Sequence, residues 1–199
     1  ALHDNAAYAA APFYGVMMAP GRLDAFTAGY NVNGYTQFEK LLVASVGNAL
    51  QQTDITLTDK RTGFIISTTK GNRELLERQP EGAATPLEDM QLFATAKKIA
   101  AYFNAANVPL VVSSACISGL AAVLTGKRLI ESGRYDHVVV TGADMLTRFV
   151  LSGFQSFQAV SPAPCQPFDA HRSGVTLGEG AATVVLSRNR GNALFSLGA

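Results

Sequence analysis

Short apolar runs of strand length alternate along this chain with longer segments in which apolar residues recur at helical spacing. The sequence predicts strands at 62–67, 110–114, 136–142 and 181–187, with a further one at 193–197. It predicts helices at 35–51, 88–104 and 117–133. The small residues early in the last helix predict that it is packed on all sides. Apolar strands separated by helices are typical of an α/β layered fold with a mostly parallel sheet.

The composition argues against several classes of protein. With 199 residues, 48% of them hydrophobic and 16% charged, the chain can form a sizeable core, and disorder is not expected. The 16 basic and 15 acidic residues include no basic run, which argues against nucleic acid or an anionic membrane as a partner. No apolar run approaches the roughly 20 residues that span a bilayer. Neither a signal peptide nor a disulfide framework is evident, so a cytoplasmic setting is expected.

The chain divides into two unequal segments. Residues 1–34 mix Gly, Pro, Ala and Asn with aromatic residues and keep no period, which indicates a loop-rich cap or a partial N-terminal segment. Residues 35–199 carry the regular pattern and are expected to form one domain. The sequence starts directly in the cap-like segment and ends soon after a predicted strand, so both ends are expected to be cuts in a larger molecule.

Cys116 lies where a predicted strand runs directly into a predicted helix. A helix N-terminus presents unpaired N–H groups and the positive end of the dipole, and both favour a thiolate. The pKa of Cys116 is therefore expected to be low, and its own N–H could donate to a developing oxyanion. The alternative is an inert buried thiol among small apolar residues. The physics of the sequence leaves an acyltransferase, a hydrolase and a redox thiol open.

Four segments, in order, carry a family pattern. They are Ser-Ala-Cys-Ile-Ser-Gly at 114–119, a helix end at 130–133 with the strand 136–144 that closes in Gly-Ala-Asp, Gly-Phe through Ala-Val-Ser at 153–161, and Pro-Phe-Asp-Ala-His-Arg-Ser-Gly followed by Gly-Glu-Gly-Ala at 167–181. Over roughly residues 35–197 the chain resembles the N-terminal half of the β-ketoacyl synthases, the 3-oxoacyl-[acyl-carrier-protein] synthases. Each motif alone is weakly specific, whereas four in sequence at compatible spacing form a strong signal.

The resemblance implies a fold, a reaction and two site residues. The fold is the thiolase-like layered fold, α-β-α-β-α in a complete member, of which this half holds a mixed, mostly parallel, five-stranded sheet. The reaction is a decarboxylative Claisen condensation of an acyl thioester with a malonyl thioester, in fatty acid, polyketide or polyene-type biosynthesis. Cys116 is implied as the catalytic nucleophile that takes the acyl group, and Phe154 as a substrate-binding residue beside the acyl pocket. Three further matches are implied to hold loops: Asp169, Arg172 and Glu179.

The chain departs from the family in several places. The two histidines and the lysine that the family draws from its second half are absent, as is its first strand, and the chain alone is expected to be inactive. His3, His137 and His171 are expected to be structural or solvated, and no metal site is predicted. Gln158 stands where many members have Arg. Cys165 is expected to take no part in the reaction, with nothing nearby to lower its pKa. Residues 70–72 are expected to form a plain turn rather than a phosphate-binding loop.

The partners follow from the resemblance. Acyl carrier protein would bring the substrates on its phosphopantetheine arm, and no other cofactor is implied. A homodimer or a heterodimer with another ketosynthase-like subunit is expected, with the strand at 110–114 as the pairing edge. Two alternatives remain: a non-catalytic partner subunit resembling a chain-length factor, and a degradative thiolase that uses coenzyme A thioesters. Retention of Cys116 argues against the first, and the segment at 167–181 against the second.

Overall fold

A computed structural model describes residues 13–19, 21–77, 87–191, 193 and 195–198. Its strands are β1 (Gly15–Val16), β2 (Thr62–Ser67), β3 (Leu110–Val112), β4 (His137–Asp144), β5 (Leu177–Gly178) and β6 (Gly180–Ser187). Its helices are α1 (Arg22–Thr27), α2 (Gln37–Leu50), α3 (Leu92–Tyr102), α4 (Ser118–Glu131) and α5 (Arg148–Ser156), with a short 3₁₀ helix at Arg73–Leu76. The predicted strand at 62–67 is confirmed residue for residue. The three predicted helices and the predicted strands at 110–114, 136–142 and 181–187 are also confirmed, with shifted ends.

The main sheet has the strand order β3-β2-β4-β6. Strand β2 pairs in parallel with β3 and β4, while β6 runs antiparallel to β4, and β1 pairs with β5 in a separate small sheet. The mixed, mostly parallel α/β architecture is therefore confirmed. Within the described residues the main sheet has four strands, where the resemblance implied five. The described residues of 193–197 form no strand, so that prediction is wrong.

The core lies on both faces of β2 and β4, because the side chains of a strand alternate between its two faces. All six residues of β2 are buried. Phe64 and Ile66 face α2 and α3, whereas Ile65 faces α4. Fully burying one such side chain stabilises the fold by about 1.5–3 kcal/mol. The two inner strands are thereby held between helices on both faces. Because they are parallel, their carboxyl ends lie at the same end of the sheet.

Helix α4 packs on the sheet through one face only. Its buried residues are spaced by four: Ser118, Ala122, Gly126 and Ile130. A Cβ on Gly126 would lie 2.8 Å from Leu186 and 3.2 Å from Val138, so the missing side chain lets the helix approach the strands closely. On the opposite face Leu120 is 62% exposed and Leu124 44%. The prediction that this helix is packed on all sides is therefore wrong for the described part of the chain, because the small residues serve one contact.

Two helices were not predicted from the sequence. Helix α1 lies within the segment 1–34, of which residues 1–12 and 20 lie outside the described residues. Helix α5 begins after Thr147, whose hydroxyl accepts a hydrogen bond from the N–H of Val150 at 3.3 Å. Such a cap satisfies one of the free N–H groups of the first turn. Both helices are too short to display a clear apolar period.

Candidate active site

Cys116 lies in a tight turn between β3 and α4, two residues before the helix begins. Ala115 adopts a φ of 47°, a left-handed conformation that costs a non-glycine residue roughly 1–3 kcal/mol. The hydroxyl of Ser118 accepts from the N–H of Ser114 at 2.8 Å and donates to the carbonyl of Ala115 at 2.6 Å. Ser118 is buried, so it closes the turn and holds Cys116 at its head. This role was not predicted from the sequence, and no motif marks it, because Ser114 contributes its backbone N–H and not its side chain.

The turn presents the thiol of Cys116 outward. Its backbone bonds run from the N–H of Ile117 to Ser114 and from the N–H of Ser118 to Ala115, both at 3.2 Å, and neither uses the N–H of Cys116. Cys116 is a free and exposed cysteine. Among the described residues Cys116 is therefore not a buried cysteine.

A cleft of about 530 Å³ opens beside Cys116. It lies at the carboxyl ends of the parallel strands β2 and β4, the edge at which α/β sheets usually bind ligands. Small residues of β4 and β6, among them Gly142 and Gly180, leave its floor open. Phe154, on α5, lines the same cleft. The two residues proposed for the site, 38 positions apart in the sequence, are thus brought together.

Asp144 connects two walls of the cleft. Its Oδ1 accepts hydrogen bonds from the hydroxyl of Thr68 at 3.0 Å, the hydroxyl of Thr69 at 3.0 Å and the N–H of Thr69 at 3.2 Å. Both threonines follow β2 directly, and Asp144 ends β4. These bonds hold the loop after β2 against the end of the neighbouring strand. In the sequence Asp144 is marked only as the end of a motif, and no pattern there predicts its contacts with the two threonines.

The comparison with known proteins agrees with this geometry. Residues 3–191 match the model of the family described as Beta-ketoacyl synthase, N-terminal domain. The chain belongs to the β-ketoacyl synthase family. The predicted thiolase-like α/β fold is confirmed.

Three similar proteins illustrate the relationship. The chain is 32% identical to the "Tetracenomycin polyketide synthase ketoacyl synthase alpha subunit" of Streptomyces glaucescens, over 76% of this chain and 42% of that protein. It is 41% identical to "Nodulation protein E" of Rhizobium leguminosarum bv. trifolii, over 38% of this chain and 19% of that protein. The solved structure "The ishigamide ketosynthase/chain length factor" matches at 26% identity with a TM-score of 0.63, covering 76% of this chain and 41% of that chain. The chain therefore spans less than half the length of these relatives.

The three residues matched to loop-holding positions of ketosynthases make such contacts. The Oδ1 of Asp169 accepts from the N–H of His171 at 2.7 Å, and a guanidinium nitrogen of Arg172 donates to the carbonyl of Asp169 at 2.9 Å. An oxygen of Glu179 accepts from the N–H of Met18 at 2.8 Å. These bonds agree with structural roles for all three side chains.

The histidines within the described residues do not line the cleft of Cys116. His137 begins β4, at the edge of the sheet opposite the cleft, where it is paired in register with Thr62. His171 is exposed on its loop, and His3 lies outside the described residues. In the part of the chain that the structure describes, no three His, Cys, Asp or Glu side chains are grouped as a metal site would require. None of the described helices is long and apolar enough to cross a membrane.

Cys165 differs from its prediction. The hydroxyl of Thr176 forms a hydrogen bond with the sulfur that lowers the pKa of Cys165, since it stabilises the thiolate. The same hydroxyl accepts from the N–H of Cys165 at 2.9 Å. The expectation that nothing nearby lowers this pKa is therefore wrong. The partner lies 11 residues away across a loop, which no sequence period reveals.

Proposed function

We propose that the protein carrying this chain is a β-ketoacyl-[acyl-carrier-protein] synthase of fatty acid, polyketide or polyene-type biosynthesis. The observation that supports this most directly is the shared cleft of Cys116 and Phe154 in a chain of the ketosynthase family. An exposed thiol at the head of a strand-to-helix turn suits nucleophilic attack on a thioester, and an aromatic wall suits the acyl chain.

The proposed reaction has two steps. In the first, the thiolate of Cys116 attacks the carbonyl of an acyl thioester; the new carbon–sulfur bond forms, the bond to the carrier breaks, and the carrier leaves as a thiol. In the second, a malonyl thioester loses carbon dioxide, and its α-carbon attacks the acyl group on Cys116. The β-ketoacyl thioester leaves on the carrier, and the thiolate of Cys116 is regenerated.

The second step needs groups that this chain does not supply within the described cleft. The resemblance implies two histidines that assist decarboxylation, together with a lysine, in a second half, and the described histidines lie away from Cys116. We therefore propose that this chain acts as the acyl-accepting half, and that condensation requires a C-terminal half of the same fold.

The partners of this proposal are acyl carrier protein and a ketosynthase-like subunit. The related ishigamide structure is named as a ketosynthase with a chain length factor, and the name of the tetracenomycin relative specifies an alpha subunit. Strand β3 is an edge of the main sheet, and Leu110 within it is half-exposed, as a strand that pairs across a dimer interface would be. The alternative of a non-catalytic chain-length-factor-like subunit is disfavoured by the exposed Cys116.

Acylation of Cys116 tests the proposal. The protein is incubated with an acyl thioester of N-acetylcysteamine, and the modified cysteine is located by peptide mass spectrometry together with the intact mass. The expected result is one acyl group on Cys116, lost in Cys116→Ala and retained in Cys165→Ser. Acylation of neither cysteine, or of Cys165 alone, would exclude the acyl-accepting role.

A further inference from the structure

Lys70 lines the cleft that holds Cys116. It follows β2 by three residues, and Cys116 follows β3 by four, so both lie beyond the carboxyl ends of two paired parallel strands. The other side chains of this cleft are small or apolar except for a few hydroxyls and Asp144. A lysine is therefore the cationic group of an otherwise weakly polar acyl cleft.

The loop that carries Lys70 is held on both sides. Before it, Thr68 donates to Asp144 and accepts from the N–H of Gly71 at 3.0 Å. After it, Asn72 is fully buried, and its side-chain nitrogen donates to Glu39 at 3.0 Å and to Thr95 at 3.1 Å. The backbone on either side of Lys70 is therefore held in place. This fixes the position beside the cleft from which the flexible four-carbon side chain of Lys70 extends.

The ammonium group of Lys70 has no ion-pair partner among the described residues. Asp144 lines the same cleft, but its Oδ1 already accepts three hydrogen bonds from Thr68 and Thr69. An ammonium group offers three donors and loses solvation when a ligand fills the cleft around it. An acyl chain that ends in an anion would compensate that loss, whereas a chain ending in a methyl group would not.

We propose that Lys70 determines acyl specificity, making the cleft beside Cys116 favour acyl groups that end in an anion, such as a carboxylate, over groups of the same length that end in a methyl group. The inference rests on the proposed acyl-accepting role of Cys116. Lys70 acts as a binding residue for the distal end of the acyl chain and takes no part in bond making.

The test compares thioesters of N-acetylcysteamine that differ only at the distal end. Hexanoyl, adipoyl and 6-(trimethylammonio)hexanoyl groups are offered separately, and the rate of acylation of Cys116 is followed by peptide mass spectrometry. The adipoyl group is expected to react faster than the hexanoyl group by about tenfold or more, the ratio that one charge-assisted hydrogen bond supplies. Lys70→Met should bring the ratio to about one and Lys70→Arg should keep it.

Reversing the charge at position 70 is a more stringent test. Lys70→Glu should disfavour the adipoyl group and favour the trimethylammonio group. Lys60→Met is the matched control, because Lys60 is an exposed lysine at the opposite end of β2, and it should leave all three rates unchanged.

Two failures can be distinguished. Equal rates for adipoyl and hexanoyl groups, or a preference that survives in Lys70→Met, would overturn the specificity inference and leave the acyl-accepting role intact. Failure of all three thioesters to acylate Cys116 would overturn the proposed function and, with it, the inference that rests on it.

Discussion

Thr68 donates its hydroxyl hydrogen bond to Oδ1 of Asp144 at 3.0 Å, across the carboxyl ends of β2 and β4. The same hydroxyl oxygen accepts from the N–H of Gly71 at 3.0 Å, and Thr68 is buried. One threonine thus links a strand end to the loop that carries Lys70. Since that loop and the end of β4 both line the cleft of Cys116, the shape of the cleft depends on this contact.

Removal of the Asp144 carboxylate is expected to destabilise the fold. Asp144→Ala leaves the hydroxyl of Thr68 and two donors of Thr69 without their acceptor, at a cost of about 2–3 kcal/mol. Asp144→Asn keeps an acceptor oxygen in place and should cost less than half as much. Guanidinium unfolding of the two variants measures the difference. Equal losses would show that Oδ1 is not the acceptor that holds these threonines.

Gly174 is expected to tolerate no side chain. Its φ is 143°, and a Cβ there would lie 2.6 Å from the carbonyl of Ala159 and 2.8 Å from the N–H nitrogen of Ser161. Gly174→Ala should therefore lower the free energy of unfolding by more than about 2 kcal/mol. The matched control is Gly153→Ala in α5, where a Cβ meets nothing within 4 Å and should stabilise the protein by about 0.5–1 kcal/mol. If Gly174→Ala left the free energy of unfolding unchanged, the described conformation of the loop at 159–174 would be contradicted.

The sequence predicted the elements whose pattern is strong over many residues. Strand β2 was bounded correctly because a buried run between turn residues has sharp ends, as Thr62–Ser67 does. Helix α2 was found because its apolar residues keep a helical period over 14 residues. The architecture followed from the alternation of such elements, and the association of Cys116 with Phe154 followed from the family resemblance.

The remaining features depend on individual contacts that no apolar period reveals. The left-handed Ala115 bonds through its carbonyl to the hydroxyl of Ser118, three residues along the chain. The small residues of α4 are compatible with a helix buried on all sides and with a helix that makes one close contact. The position of Leu186 against Gly126 decides for the close contact. The specificity role of Lys70 likewise needs the cleft, since the sequence shows only a turn at 70–72.

The hydrogen bond from Thr176 is expected to set the pH dependence of Cys165. Thr176→Val removes the donor that stabilises the thiolate, so the pKa of Cys165 should rise toward its ordinary value of 9.0. Because the thiolate is the reactive form, alkylation of Cys165 by iodoacetamide should shift to higher pH and slow at neutral pH. Peptide mapping over a pH series measures this, with Cys116 in the same protein as the reference. Thr176→Ser should keep the original profile, and a shift in that variant would argue against the hydroxyl as the cause.

Ser118 is expected to position Cys116 without touching the substrate carbonyl. Ser118→Ala leaves the N–H of Ser114 without its acceptor and removes one of the two hydrogen bonds to the carbonyl of Ala115, at a cost of about 1–3 kcal/mol, and so weakens the contacts that hold Ala115 in its left-handed conformation. Since productive attack depends on alignment, acylation of Cys116 by hexanoyl thioester should slow by about tenfold or more. Alkylation by iodoacetamide, a small reagent that needs only an exposed thiol, should change by less than about twofold. Ser132→Ala is the matched control, because its hydroxyl bonds to Leu129 at the exposed far end of α4, and both rates should stay unchanged there. Equal slowing of acylation and alkylation in Ser118→Ala would mean that the hydroxyl affects the thiol itself, and the positioning role would be wrong.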